Sequence, residues 1–270
     1  MDLQLRGKRA LVTGSSSGIG AGIARTLAEE GVRIAVHGRN VERTQRVADE
    51  LRRLGVEAIA VVGDLSTQAG ADAVVHDVMK AFGGLDILVN NAGGKTMEGN
   101  PLWFDVSAAA WLATYDQNVG AIVRLCHQFV PGMKAQGWGR IINIGSGSST
   151  HPTVTIPDYA SSKAALNALT VSLSKAVAGT GITVNVVSPG SILTPALEEW
   201  IRDVARQREW GSDWDTIERR FVTEMFPLPV PRIGRVEDIG AVVALVASPK
   251  GSYITGANLR VDGGHAAATN

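Results

Sequence analysis

The chain has one cysteine, Cys126, in 270 residues. A single thiol excludes an internal disulfide framework and any multi-cysteine metal site. It lies in an apolar helical pattern, where a thiol acts as a small packing group. Net charge is also missing, because 26 Lys+Arg cancel 26 Asp+Glu. A neutral chain offers no electrostatic footprint for nucleic acid or an anionic membrane surface. No uncharged apolar run approaches the ~20 residues that span a bilayer. Met1-Asp2-Leu3-Gln4 has no basic stretch leading into an apolar core, so no secretory leader is expected. Internal repeats, low-complexity tracts and linkers are lacking as well. What remains is one large globular domain over 1–270, 45% hydrophobic and 19% charged, expected in the cytoplasm.

Short apolar runs alternate with helical patterns. Ala10-Leu11-Val12, Arg33 to His37, Ala58 to Val62 and Leu85 to Val89 read as strands. Residues 18–30 carry Ile19, Ile23, Ala24 and Leu27 at helical spacing, and further helices are expected over 41–54 and 68–82. Continuous apolar strands suit a sheet buried on both faces, and strand–helix–strand alternation implies parallel pairing with right-handed crossovers.

The first strand runs into Thr13-Gly14-Ser15-Ser16-Ser17-Gly18-Ile19-Gly20, which opens a helix. Glycines at a strand-to-helix turn admit unusual backbone angles and let a diphosphate approach the main chain. The helix N-terminus adds free N–H groups and the positive dipole end. No Gly-Lys-Ser/Thr follows, which argues against a phosphate-transfer loop.

The second strand ends His37-Gly38-Arg39-Asn40, without an acid. NAD sites commonly place a carboxylate there for the ribose, whereas an arginine suits a 2′-phosphate. Arg39 offers such a fork. NADP(H) is therefore favoured and NAD(H) is the alternative. Asp64-Leu65 follows the third strand; Asp64 is either an acceptor for the adenine amino group or an N-terminal cap for the next helix.

Tyr159 and Lys163 stand four residues apart in Tyr159-Ala-Ser-Ser-Lys163, on one face of a helix. A free phenol has a pKa of about 10, and an adjacent ammonium favours its ionised form. That pair is expected to make Tyr159 a general acid/base near neutral pH.

Thr13-Gly14-x-x-x-Gly18-x-Gly20, Asn90-Asn91-Ala92-Gly93, Tyr159-x-x-x-Lys163 and Ser188-Pro189-Gly190 occur in that order. Together they resemble the short-chain dehydrogenase/reductase family, in particular the single-domain branch with the 3-oxoacyl carrier-protein reductases. The likeness runs from about residue 5 to 264. It implies a Rossmann-like α/β fold: a doubly wound, seven-stranded parallel sheet with helices on both faces, assembled as a homotetramer. It also implies hydride transfer between a nicotinamide and a small-molecule ketone or secondary alcohol.

Carried over by residue, the resemblance makes Ser146 the donor to the substrate oxygen and Asn118 the residue that positions a water beside Lys163. Ser148 and Ser149 are neighbouring alternatives, but Ser146 stands thirteen residues before Tyr159, in the family's register. Lys163 would hold the cofactor ribose. Asn91, Ala92 and Gly93 would line the cofactor cleft; Pro189, Gly190, Ile192 and Thr194 would flank the nicotinamide. Subunit contacts are expected from helices near 107–135 and 157–179 and from the strand Asn258 to Val261.

Residues 195–231 hold Trp200, Trp210, Trp214, Phe221 and Phe226. This segment reads as a substrate lid of two helices above the sheet. Ser148, His151 and Trp200 are the candidate substrate contacts, Lys95 is a candidate for an anionic substrate group, and no metal site is expected. Two other readings are an NAD(H)-dependent dehydrogenase of a sterol or sugar alcohol, and a non-catalytic nucleotide sensor on the same fold.

Overall fold

The computed structural model describes residues 1–95 and 99–266. Seven parallel strands run β1 (Arg9–Val12), β2 (Arg33–Gly38), β3 (Ala58–Val62), β4 (Ile87–Asn90), β5 (Gly139–Ile144), β6 (Ile182–Pro189) and β7 (Asn258–Val261). They lie in the order β3-β2-β1-β4-β5-β6-β7. The chain starts in the middle of the sheet, builds one half, then crosses back to build the other. That reversal opens a crevice at the C-terminal ends of β1 and β4.

The helices are α1 (Gly18–Glu29), α2 (Val41–Arg52), α3 (Gln68–Phe82), α4 (Ala108–Tyr115), α5 (Ala121–Ala135), α6 (Pro157–Ala176), α7 (Pro195–Gln207), α8 (Trp214–Arg220) and α9 (Val236–Ala247). One face of the sheet is covered by α1, α2 and α9, whose Ile23, Leu27, Val47, Ile239 and Val243 share a core with β1, β2 and β4. Glycine lets α1 and α9 meet closely: a Cβ on Gly240 would lie 2.2 Å from Thr26 Oγ1, and one on Gly22 2.4 Å from Val236 Cβ. The opposite face is closed by α3, α5 and α6 through Val74, Val78, Leu125, Phe129 and Leu166. Cys126 belongs to this core, where burial pushes its thiol up to about 12. It is a packing group and no nucleophile.

Three segments differ from the sequence expectation, beyond small shifts at other element ends. The strand expected from Leu85 begins at Ile87, because Asp86 turns its carboxylate to accept from Arg9 Nε and Nη2, each at 2.8 Å. The expected 107–135 helix is two helices joined by a widened turn over 116–120, which carries Asn118. The 195–231 segment holds α7 and α8, as expected, and then a second widened turn over 221–225. Its Ile201, Ala205, Trp210, Ile217, Phe221 and Val222 form a separate core with Ile233, just beyond it. Its second helix is tied to the body by Glu218, which accepts from Arg235 Nη1 (2.7 Å) and Nη2 (2.9 Å) and from the Ile233 N–H (2.9 Å).

Candidate active site

The glycine loop is stitched to the strands on both sides. Thr13 Oγ1 accepts from the N–H groups of Asn91 and Ala92, both at 2.9 Å. Asn91 Nδ2 donates to Thr13 O (2.9 Å) and Gly14 O (3.2 Å). Gly14 sits at φ +64 with no room for a side chain, since a Cβ would lie 2.9 Å from Ala92 Cα. At Gly20 a Cβ would come within 2.4 Å of Asn91 Nδ2 and 2.5 Å of Gly14 O. Ser17 precedes α1 without a side-chain cap, whereas Asn40, Thr67 and Thr194 each cap the helix they introduce. The first N–H groups of α1 are thus left for an anion.

A cavity of about 300 Å³ starts at this loop, where Gly14, Ser16 and Ser17 form one wall. Arg39, Arg43, Asp64 and Leu65 also line it. No carboxylate ends β2. Asp64 is not the cap of α3: Thr67 Oγ1 accepts from the Gly70 N–H at 3.0 Å and fills that role. Asp64 Oδ1 instead accepts from Ser66 N (3.0 Å) and Oγ (2.8 Å), bonds that hold its carboxyl below its usual range. His37, which sequence reasoning passed over, lies buried between the loop and β3 and also lines the cavity.

A second cavity, of about 290 Å³, shares Ser17, Asn91 and Gly93 with the first. Ser146, Tyr159 and Lys163 meet there; Pro189, Gly190 and Thr194 face them, and Ile19 and Gly20 close the side toward α1. The Ser146 hydroxyl stands close enough to the Tyr159 phenol to favour its ionised form. The turn bearing Ser146 is braced from α6: Asn167 Nδ2 donates to Ser149 Oγ (3.0 Å), which donates to Ser146 O (2.7 Å). Lys163 Nζ donates to Ile144 O at 2.7 Å and lies 5.7 Å from the centre of the Tyr159 ring.

The electrostatics differ from the sequence expectation of a depressed phenol. Burial pushes Tyr159 above its ordinary value, opposed by the nearby Ser146 hydroxyl, and burial lowers Lys163 to about 8. Desolvation acts on both charged forms, and the ammonium is directed at a backbone carbonyl instead of the phenol oxygen. Just before this pair, Ile156 holds a left-handed conformation (φ 51, ψ 46) at the start of α6. A β-branched residue there carries strain of about 1–3 kcal/mol.

Other candidates lie beside the cavities rather than in their walls. Asn118 is buried behind Gly93; its Oδ1 accepts from the Gly94 N–H (2.8 Å), and its Nδ2 donates to Gly94 O (2.8 Å) and Ser162 Oγ (2.9 Å). Gly18 faces Thr194, and Ile192 is bridged to Gly234 beside a different cavity, next to Pro229 and Val230. Ser148 meets Ser146 through its backbone N–H (3.2 Å). Lys95 Nζ donates to Gly99 O. Trp200 is 44% exposed and edge-on to Phe221.

His151 meets a partner that sequence reasoning missed. His265, in the turn after β7, lies edge-on to it at 6.3 Å and stacks on Phe226 at 4.1 Å. The same turn packs against Gly190, where a Cβ would lie 2.7 Å from Asp262 Cα. Val230 N donates to Gly263 O at 3.1 Å. Catalytic-side loop, 195–231 segment and C-terminal turn thus converge on one side of the crevice. Among the described residues, no cluster of His, Cys, Asp or Glu is placed to hold a metal ion, and no helix is long and apolar enough to cross a membrane.

A seven-stranded doubly wound sheet, a glycine loop at its switch point and Ser146, Tyr159 and Lys163 at the rim define a nicotinamide-type oxidoreductase scaffold. The family model for short chain dehydrogenase matches residues 8–205, and the chain belongs to that family. It is 33% identical to the 3-oxoacyl-[acyl-carrier-protein] reductase FabG of Staphylococcus aureus, over 95% of this chain and 97% of the relative. The L-sorbose reductase of Gluconobacter frateurii, solved with NADPH and L-sorbose, superposes with a TM-score of 0.91 at 35% identity, covering 99% of this chain and all of that one. A 7α-hydroxysteroid dehydrogenase solved with NADH and 7-oxoglycochenodeoxycholic acid superposes with a TM-score of 0.85 at 31% identity, covering 100% and 98%. The chain is therefore an oxidoreductase of the alcohol/ketone class.

Proposed function

We propose that this protein is an NADP(H)-dependent ketoreductase, acting between a ketone and its secondary alcohol. One observation carries the reading: the Ser146, Tyr159 and Lys163 side chains share a cavity that adjoins a second one lined by Arg39 and Arg43. The residues fit the cofactor. Uncapped N–H groups of α1 and the side-chain-free approach at Gly14 and Gly20 suit a diphosphate. Arg39 and Arg43 suit a 2′-phosphate. Lys163 would hold the ribose on the nicotinamide side; Pro189, Gly190 and Thr194 would hold the ring. The sorbose reductase, which carries NADPH, supports this choice. The steroid dehydrogenase carries NADH, but the missing acid at the end of β2 favours NADP(H) here.

When bound, the nicotinamide supplies or accepts the hydride. The chain's own groups handle the proton and the oxygen. Ser146 donates to the carbonyl oxygen and stabilises the charge that develops there. Tyr159 delivers its phenolic proton to that oxygen. Lys163 holds positive charge beside the phenol, and Asn118 sits behind it, where it would order a water for proton return. Residues 195–231 form the substrate lid of a single domain. Helices α4–α6 and β7 would build a homotetramer in the cytoplasm, with a small carbonyl or alcohol as the partner.

The test is Tyr159→Phe. It removes one oxygen and should abolish NADPH-dependent turnover across ketoses, oxosteroids and 3-oxoacyl thioesters while NADP+ binding persists. Full activity in that variant overturns the reading.

A further inference from the structure

His37 occupies the end of β2, yet its ring turns back beneath the glycine loop. The Gly14 N–H donates to Nδ1 at 3.0 Å, and Nε2 lies 3.1 Å from Gly63 O. A carbonyl can only accept, so Nε2 carries the proton and Nδ1 is bare. One neutral tautomer satisfies both contacts. The backbone repeats the tether: Ser15 N donates to His37 O (2.8 Å), and His37 N donates to Ser15 Oγ (3.0 Å).

The ring's charged surroundings come from three elements. Arg39 on the same strand end disfavours an imidazolium, and Asp64 after β3 favours one. Arg43 of α2 lines the same cavity. The glycine loop, Thr13 to Ser17, contributes no charge. Burial is the largest influence and holds the ring below its ordinary 6.5. The bond to Gly14 is therefore fully present above 6.5 and is lost as pH falls through the lower value that the folded protein imposes.

We propose that His37 is a positioning residue for the dinucleotide: its neutral ring holds Gly14 in the turn that receives the diphosphate, and protonation releases that turn. The inference rests on the NADP(H) reading above. An imidazolium would set an Nδ1–H against the Gly14 N–H, two donors face to face. Gly14 cannot retreat toward β4, because Ala92 Cα closes that side.

The experiment measures NADP+ and NAD+ dissociation constants by calorimetry from pH 4.5 to 8, with circular dichroism confirming the fold. It compares wild type with H37N, whose amide oxygen can accept from Gly14 but cannot be protonated, and with H37L, which offers no acceptor. As the pH falls from 7.5 to 4.5, wild type should lose more affinity than H37N, for both dinucleotides. The 2′-phosphate titrates near pH 6, but equally in both proteins, and NAD+ lacks it. H37L should bind at least about 10-fold more weakly at pH 7.5. Superimposable acid limbs for wild type and H37N, affinity that rises in acid, or full-strength binding by H37L would each overturn the inference alone. If H37L does not fold, the H37N comparison decides. Wild type that binds neither dinucleotide at pH 7.5 overturns the parent reading, and this inference with it.

Discussion

Removing the Arg39 guanidinium should separate the two nicotinamide dinucleotides. A hydrogen bond from a charged donor to phosphate contributes about 1.5–3 kcal/mol. Arg39 is exposed, so solvent screening places it at the low end. Arg43 remains in the same cavity and keeps part of the attraction. A loss near 1.5 kcal/mol corresponds to roughly 10-fold weaker NADP+ binding in Arg39→Ala. NAD+ has no 2′-phosphate, so its affinity should change less than about 2-fold.

Two controls sharpen this. The Debye length shrinks from about 10 Å at 0.1 M salt to about 3 Å at 1 M, so the gap between wild type and variant should narrow in salt. Arg39→Asp should go further and move preference toward NAD+, because a carboxylate at this strand end accepts from ribose hydroxyls. The assay is titration of protein fluorescence with each dinucleotide, with kcat/KM for NADPH and NADH alongside. An equal loss for both dinucleotides would mean that Arg39 only shapes the loop. No loss for NADP+ would refute the phosphate assignment outright.

Glu218→Gln should loosen the 195–231 segment. Its carboxyl is held below the usual range chiefly by the Arg235 bond, so its stabilisation is present above about pH 4.5 and fades as pH falls through the folded value. Removing one partner of a fully buried pair costs about 3–5 kcal/mol, but the Arg235 side chain is 35% exposed, which reduces this to about 1–2 kcal/mol. Thermal melts should show a fall of about 3–6 °C at pH 7 that shrinks as the pH drops below 4.5; a fall that does not shrink contradicts the charge argument. His265→Ala removes the stack on Phe226, an aromatic pair of about 0.5–1.5 kcal/mol, and should raise KM for the carbonyl substrate about 2- to 10-fold. NADP+ affinity should stay unchanged; a matching loss there would place His265 on the cofactor side.

Much of the architecture was legible because each signal is local. The runs at Ala10, Arg33 and Ala58 are mostly apolar on both faces and end at glycines or helix patterns, which suits buried parallel strands. The Tyr159–Lys163 spacing needs one helical turn and nothing else. What sequence did not reveal depends on distant parts meeting. His265 reaches His151 only because β7 lies beside β6 and its turn packs on Gly190. His37 looked like a strand-end residue, yet a neighbouring loop claims its Nδ1. Asp64 and Thr67 both have capping chemistry, and only the path of the chain into α3 assigns the cap to Thr67.

The spacing argument gave Lys163 the task of ionising Tyr159, and the folded environment assigns the work differently. Burial raises the phenol, so near neutral pH Tyr159 keeps its proton. The amine, lowered to about 8, remains mostly protonated there, and Ile144 O fixes its position. A protonated phenol beside Ser146 is an acid loaded for delivery, which is what carbonyl reduction requires. Alcohol oxidation begins from the opposite state and must first remove that proton against desolvation. The cation that would favour the tyrosinate also weakens above about 8. In the protein without a bound dinucleotide the pair therefore rests with its phenol protonated. That state comes from the low-polarity wall around two side chains, and the four-residue spacing supplies only their proximity.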